Sequence, residues 1–246
     1  MLYRALLALA FVCCASTAAA QVVVPTGSSI ALGGGTLDLA GSALQVGGLF
    51  SLASGKIDNA TNIGILAGGT IDGGSGQIQL TGDWANAGNF VGGSSTVDFL
   101  DPGSASQIGG DTSFANLSFA SSIGKSYVFA AGSTQTVAGL LTIAGITGLP
   151  IQFRSSAAGQ IANINLLAGG SQNISHVGVS DVHATGQHLA PSLSNEGGSG
   201  NATGWFAAIV PTIAVPADML SPIGLLLFAL VMLAGVWLTR RQQFEY

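Results

Sequence analysis

Ile57-Asp58-Asn59-Ala60-Thr61-Asn62-Ile63-Gly64-Ile65-Leu66-Ala67-Gly68-Gly69-Thr70-Ile71-Asp72-Gly73-Gly74-Ser75-Gly76-Gln77-Ile78-Gln79-Leu80 is the stretch that decides the fold. Ile63/Ile65 and Ile78/Leu80 are apolar doublets spaced by one residue, and the same doublets recur outward at Ile30/Leu32, Leu37/Leu39, Leu44/Val46 and Val97/Phe99. Alternation with period two is the signature of a strand, and no 3.6-residue pattern lasts beyond a turn. Gly-Gly, Ser-Gly, Ala-Gly and Asn-Ala clusters between the doublets supply turn chemistry. Expected strand starts fall six to eight residues apart, at Val22, Ile30, Leu37, Leu44, Phe50, Ile57, Ile63, Ile71 and Ile78.

Three such faces make a coil of about 20 residues, within the period that marks a solenoid. Ile57-Asp58-Asn59-Ala60 against Ile71-Asp72-Gly73-Gly74, and Ala40-Gly41-Ser42 against Ala67-Gly68-Gly69, show the self-similarity. A β-sandwich is the competing all-β architecture, but it uses longer strands and turns about 8–12 residues apart. The expectation is a parallel β-solenoid (β-helix) of eight or nine coils, on the order of 40 Å long at a strand spacing of about 4.8 Å.

Composition agrees. Of 246 residues only 7% are charged and 37 are glycine. Glycine turns the tight corners between stacked strands, and a thin core excludes charge from every second position. Collagen is excluded, because the glycines keep no period of three. Six basic residues cannot form the phosphate-facing stripe of a nucleic-acid binder, so no nucleic-acid partner is expected.

The ends read as addresses. Residues 1–20 form a signal peptide helix: Arg4 is the basic start, Ala5 to Ala15 the apolar run, and Ala18-Ala19-Ala20 the cleavage site before Gln21. Cys13 and Cys14, the two cysteines, lie inside it, preceded by Phe11-Val12 rather than the small residues of a lipoprotein signal. Cleavage after Ala20 leaves a chain without thiols or disulfides. Residues 21–206 are the ectodomain, 207–218 a linker with a sorting motif, and 219–246 a transmembrane helix with a basic tail. Met219 to Thr239 is long enough, at 1.5 Å per residue, to span the roughly 30 Å of a bilayer core. Pro222 suits its first turn, and Arg240-Arg241 orient its end toward the cytoplasm.

This tail resembles the C-terminal sorting signals that bacterial exosortases recognise. Val215-Pro216-Ala217 followed by Leu220-Ser221-Pro222-Ile223-Gly224, with Arg240-Arg241 after the apolar run, is similar to the IPTL variant; Val210-Pro211-Thr212-Ile213 is a second partial match. Asp218-Met219 stands as an insertion, and the Pro-Glu-Pro of the related PEP-CTERM signal is absent. The resemblance covers about the last 35 residues and implies a Gram-negative envelope protein whose tail is cut and transferred by an exosortase-type enzyme. A plain membrane anchor is the alternative.

A second resemblance lies in the body. Gly82-Asp83-Trp84-Ala85-Asn86-Ala87-Gly88-Asn89-Phe90, Ser95-Thr96-Val97-Asp98-Phe99, Gln107-Ile108-Gly109-Gly110, Thr112-Ser113-Phe114-Ala115-Asn116-Leu117 and Asn201-Ala202-Thr203-Gly204-Trp205 look like repeats of large adhesin-like bacterial surface proteins. It implies a β-helical surface module without a known activity. Trp84, Phe90, Phe99, Phe114 and Phe119 read as core stacks of adjacent coils, with carbohydrate-stacking platforms as the other reading.

Chemistry is sparse. No Gly-x-Ser-x-Gly elbow, phosphate loop or paired-glycine fingerprint occurs, and no cofactor is expected. Asp98 and Asp101 are the nearest carboxylate pair in sequence, around an expected Asp-Pro turn. His176, His183 and His188, near Asp181, are the histidines; a continuous strand would put His176 and His183 on opposite faces, so no metal site is expected. Asn59, Asn116, Asn173 and Asn201 begin Asn-x-Ser/Thr sequons and read as turn asparagines bonding locally. Residues 21–206 hold three basic residues (Lys56, Lys125, Arg154) against nine acidic ones, a net charge of −6.

Two classes of function remain. One is a non-catalytic exported surface or envelope protein, adhesin-like or a matrix component. The other is a polysaccharide-active lyase or hydrolase on a β-helix. Expected partners are signal peptidase and the secretion machinery, an exosortase-type enzyme, the inner membrane through the C-terminal helix, and a polysaccharide or other surface ligand.

Overall fold

The computed structural model describes residues 20–103 and 105–207. The body of the signal segment, the sorting motif (Val215, Pro216, Leu220, Ser221, Pro222, Gly224), the expected membrane-spanning run and Arg240-Arg241 lie outside these residues. Ala20 is exposed, and Gln21 opens the first strand.

The described chain winds as a parallel β-solenoid with three strands to the coil. The first coil carries β1 (Gln21–Val24), β2 (Ser29–Ala31) and β3 (Thr36–Asp38). The second carries β4 (Ala43–Val46), β5 (Leu49–Ser51) and β6 (Lys56–Ala60), the third β7 (Ile63–Ile65), β8 (Thr70–Asp72) and β9 (Gln77–Leu80). In the fourth are β10 (Trp84–Asn86), β11 (Asn89–Val91) and β12 (Thr96–Phe99), and in the fifth β13 (Ala105–Gly109), β14 (Thr112–Phe114) and β15 (Asn116–Ala120). The sixth has β16 (Ser126–Phe129), β17 (Thr134–Val137) and β18 (Leu140–Ala144); the seventh β19 (Ile151–Ser155), β20 (Ala162–Leu166) and β21 (Ser171–Ser175). An eighth, incomplete coil has β22 (Val177–Ser180) and β23 (Val182–Ala184).

Every pairing between these strands is parallel and joins a strand to its counterpart one coil on, which excludes the sandwich. One face is a continuous sheet of eight strands from β1 to β22, and another a sheet of seven from β3 to β21. The third face is split into two sheets of four, β2 to β11 and β14 to β23.

Sequence sets the inner ladders directly. Leu37, Ile57, Ile78, Val97, Leu117 and Leu141 stack in successive coils of the seven-stranded face. Val22, Leu44, Ile63, Trp84, Ile108 and Phe129 do so on the eight-stranded face. Burial alternates strictly along strands such as β12, where Val97 and Phe99 point in while Thr96 and Asp98 point out. Each such aliphatic or aromatic side chain removed from water contributes about 1.5–3 kcal/mol.

Coil length is less uniform than the repeat suggests. Along the Val22 ladder the steps are 22, 19, 21, 24 and 21 residues, and from Tyr127 through Phe153 to Val179 they are 26 and 26. Extra residues sit at corners after β12, β18 and β19, and the body makes about eight coils, the last of them incomplete. Seven steps of about 4.8 Å give a stack on the order of 35 Å.

Aromatics fill the middle coils, as core rather than as external platforms. Trp84 is fully buried, edge-on to Phe90 at 5.2 Å and beside Phe114 at 5.3 Å. Phe99 stacks on Phe119 at 5.0 Å with an interplanar angle of 18°. Tyr127 and Phe153 continue the column toward Trp205 near the C-terminal end.

Candidate functional site

Alternation places all outward side chains in register along the coils, so a binding surface on this fold is a ladder rather than a pocket. On the seven-stranded face Asp38 stands opposite Asp58, and Asp98 lies between Gln79 and Ser118. Each of the three carboxylates already has a donor. Asn59 Nδ2 donates to Asp38 Oδ1 at 3.0 Å, Lys56 Nζ to Asp58 Oδ2 at 3.1 Å, and Gln77 Nε2 to Asp98 Oδ2 at 2.7 Å. Hydrogen bonds from Asn59 and from the Ala40 amide hold the Asp38 carboxyl below its ordinary value.

Asp98 and Asp101 stand in different settings. Asp98 is outward on β12, whereas Asp101 lies beyond the strand, before a cis bond to Pro102, and turns to the next coil. Its Oδ2 accepts from the Ser122 amide at 2.8 Å and the Ser122 hydroxyl at 3.0 Å. Burial pushes this carboxyl up, but those bonds, the Ser121 hydroxyl and the Lys125 charge outweigh it and hold it down. A general acid at neutral pH needs the opposite shift. Asp101 also lines a shallow corner cleft of about 370 Å³ with Leu100, Ala120, Ser121, Ser122, Ala144 and Ile146.

Lys125 is the residue that sequence reasoning missed. It is fully buried, and Nζ donates to the carbonyls of Thr81, Leu100 (2.8 Å) and Pro102 (3.5 Å), while lying 5.4 Å from the centre of the Tyr127 ring. These carbonyls come from the turns that follow β9 and β12, so one ammonium ties three successive coils together. Desolvation pushes the ammonium down from its ordinary value, opposed by the charges of Asp101 and Asp83. Only a lone basic residue between Gly124 and Ser126 marked it in the sequence.

The histidines gather at the C-terminal end but not around one point. The chain turns a corner at His176 (φ 47°) and again at Asp181 (φ 56°), so β22 and two corners, not one continuous strand, lie between His176 and His183. His176 Nδ1 lies 3.1 Å from Glu196 Oε2, and its Nε2 is 3.3 Å from Thr147 Oγ1. That is the hydroxyl–imidazole–carboxylate order of a nucleophile relay, yet Thr147 sits exposed on the Ile146–Leu149 turn. The contact clamps that turn and the segment around Glu196 to the corner. His183 Nε2 is 3.2 Å from Asn201 Oδ1, and His188 Nε2 meets the Phe206 carbonyl. Among the described residues, no group of three or more His, Cys, Asp or Glu side chains is placed to hold a metal ion.

Three of the four sequon asparagines, Asn59, Asn116 and Asn201, make long-range side-chain bonds rather than the local ones expected. Asn116 Nδ2 donates to the carbonyls of Ser94 and Ser95 while its Oδ1 accepts from the Leu140 amide, so one amide spans three coils. Asn201 Nδ2 donates to Asp181 Oδ1 at 2.6 Å, which with the Gly159 amide holds that carboxyl down. Asn173 is exposed on β21.

No known protein family, curated protein or solved structure matches the chain.

Proposed function

We propose that the chain is a non-catalytic exported cell-surface or envelope protein, an adhesin-like or extracellular-matrix structural component. In this reading residues 1–20 direct export, and the tail carrying Val215, Pro216, Leu220, Ser221, Pro222, Gly224, Arg240 and Arg241 sorts or anchors the product in the envelope. The observation that carries it is the engagement of these carboxylates within the solenoid. Asp38, Asp58, Asp98, Asp101 and Asp181 all accept hydrogen bonds from their own or adjacent coils, which makes them lattice members of the solenoid rather than free reactive groups. The start of β1 at Gln21, next to the expected cleavage site, further supports it.

Cell fractionation with an antibody against the ectodomain, combined with sequencing of the N-terminus, tests the reading. The expected product is in the envelope or the medium and begins at Gln21. A full-length cytoplasmic product would overturn it.

A further inference from the structure

The two ends of the solenoid are finished differently. At the C-terminal end, residues 187–207 fold across the last coil. The amide of Asn195 imitates a neighbouring strand: its Oδ1 accepts from the Val179 N–H at 2.8 Å, and its Nδ2 donates to the Val179 carbonyl at 2.9 Å. The Glu196 amide donates to the Val177 carbonyl, the Gly200 amide to the Val179 carbonyl and the Ala184 amide to the Thr203 carbonyl, with the Asp181 amide donating to Gly200. Gln172 takes the inward ladder position beside Leu141 and holds Ala190 and His188 through its side-chain amide. Trp205 and Phe206 are buried beneath this cap.

Nothing comparable covers the N-terminal end among the described residues. β1, β2 and β3 each terminate a sheet. The carbonyls of Ala20, Val24, Ser28 and Gly35 and the amides of Leu32 and Leu39 bond to the second coil. Alternation along a strand therefore turns the N–H and C=O groups of Gln21, Val23, Ser29, Ala31, Thr36 and Asp38 toward the open end. Inner side chains are uncovered too. Ile30 is 38% exposed, whereas Phe50, its partner one coil on, is 0% exposed. Natural edge strands are usually protected by charge, bulges or a covering segment. Here Asp38 is the one charged residue between Gln21 and Gly55.

We propose that this N-terminal end is an interface between two copies of the chain, joined head to head. The cap pairs edge groups of β22 and β23, so a head-to-tail stack meets fewer open groups than the uncovered first coil offers to its own copy. A two-fold axis across the rod reverses the winding direction of the partner coil, which sets the end strands antiparallel and lets their open groups pair. Such an isologous contact closes at two copies. The first coil offers 22 residues, from Gln21 to the register position before Ala43, within the roughly 20–30 residues per side of a stable interface. With one carboxylate per end, like-charge repulsion is small. The interface rests on the export reading in one respect: removal of residues 1–20 leaves Gln21 as the chain start, with no leader to cover the edge.

The test is the mass of the envelope-purified full-length product in mild detergent, by light scattering and native mass spectrometry, with its N-terminus sequenced. The expected species is a dimer beginning at Gln21. Ile30→Lys places a charge in the open end, and Ala31→Pro removes one outward N–H while leaving the bonds to the second coil. Each is expected to raise the dimer dissociation constant at least tenfold with an unchanged strand signal in circular dichroism. A monomer, an open-ended series of larger species, or a dimer indifferent to both folded variants (association through the tail) would overturn the proposal. A chain that retains Met1 counts against the export reading alone if it is still a dimer sensitive to these variants. A monomer that retains Met1 assigns the edge to the leader and overturns the interface.

Discussion

A buried ammonium is stable only when its protons are taken up, and Lys125 meets that condition with three carbonyls from two successive turns. Lys125→Ala removes the donors and leaves a cavity, and is expected to cost about 3–5 kcal/mol. Lys125→Met keeps most of the stem and relieves the desolvation of the charge, so its cost is smaller, about 1–3 kcal/mol. Urea denaturation of the two variants checks the order; equal losses would mean that packing alone matters at this site. The aspartates set the acid response. Asp38, Asp101 and Asp181 have carboxyls held below their ordinary value of 3.8 in the folded chain. As the pH falls, the unfolded chain therefore takes up protons first, so their contribution is complete above about pH 4 and disappears as the pH drops through the folded values. Asn201→Ala, which removes the side-chain donor to Asp181, is expected to reduce the difference in melting temperature between about pH 5 and about pH 2.5. An unchanged difference would dissociate Asp181 from the acid response.

Strands and corners obey separate rules, and only the first was fully legible in the sequence. Each expected start from Val22 to Ile78 falls within two residues of an observed strand start, because inward apolar residues must alternate wherever one side of a thin coil is dry. Corners need conformations and clearances that composition does not report. Gly110 (φ +77°) and Gly132 (φ +81°) look alike in backbone angle, yet a Cβ on Gly110 would lie 1.8 Å from the Asn86 carbonyl oxygen, whereas one on Gly132 meets nothing within 4 Å. Gly132→Ala is accordingly expected to cost about 1–2 kcal/mol, the strain of the left-handed region. Gly110→Ala adds a clash with backbone of the preceding coil, and a loss of about 3–4 kcal/mol is expected. Melting of the pair measures the difference; similar losses would show that the coils separate freely at that corner. Lys125 stayed hidden for a related reason. Its acceptors lie 44, 25 and 23 residues earlier, and the longer turn after β12 removes any fixed period by which to find them. The cap after β23 was equally silent, since its Asn195, and Gln172 of β21 that holds it, work through side-chain amides that leave no apolar rhythm.

At the scale of the whole molecule, the stack of similar coils makes stability nearly a sum of coil and neighbour terms, so the solenoid should tolerate loss of a unit but not of a fraction. Residues 63–83 are one complete turn: Ile63 stands under Trp84, Thr70 under Asn89 and Gln77 under Thr96. Their removal brings Leu44 against Trp84, Phe50 against Phe90 and Ile57 against Val97, so every inner contact stays apolar. Thr61 takes the place of Thr81, whose carbonyl receives the Lys125 ammonium. On the outside Asp58 comes beside Asp98 without the intervening Gln77 and Gln79, a like-charge contact that lowers stability without breaking the ladder. Deleting residues 63–72 instead carries β9 from the seven-stranded face onto the eight-stranded one, displaces every later strand by two faces and opposes corners to strands. The whole-coil deletion is expected to melt cooperatively at a lower temperature, with its urea dependence reduced by about one-eighth in proportion to the surface lost. The ten-residue deletion removes less chain and is expected not to fold. If the shorter deletion were the more stable of the two, stacking register would not be what holds this chain together.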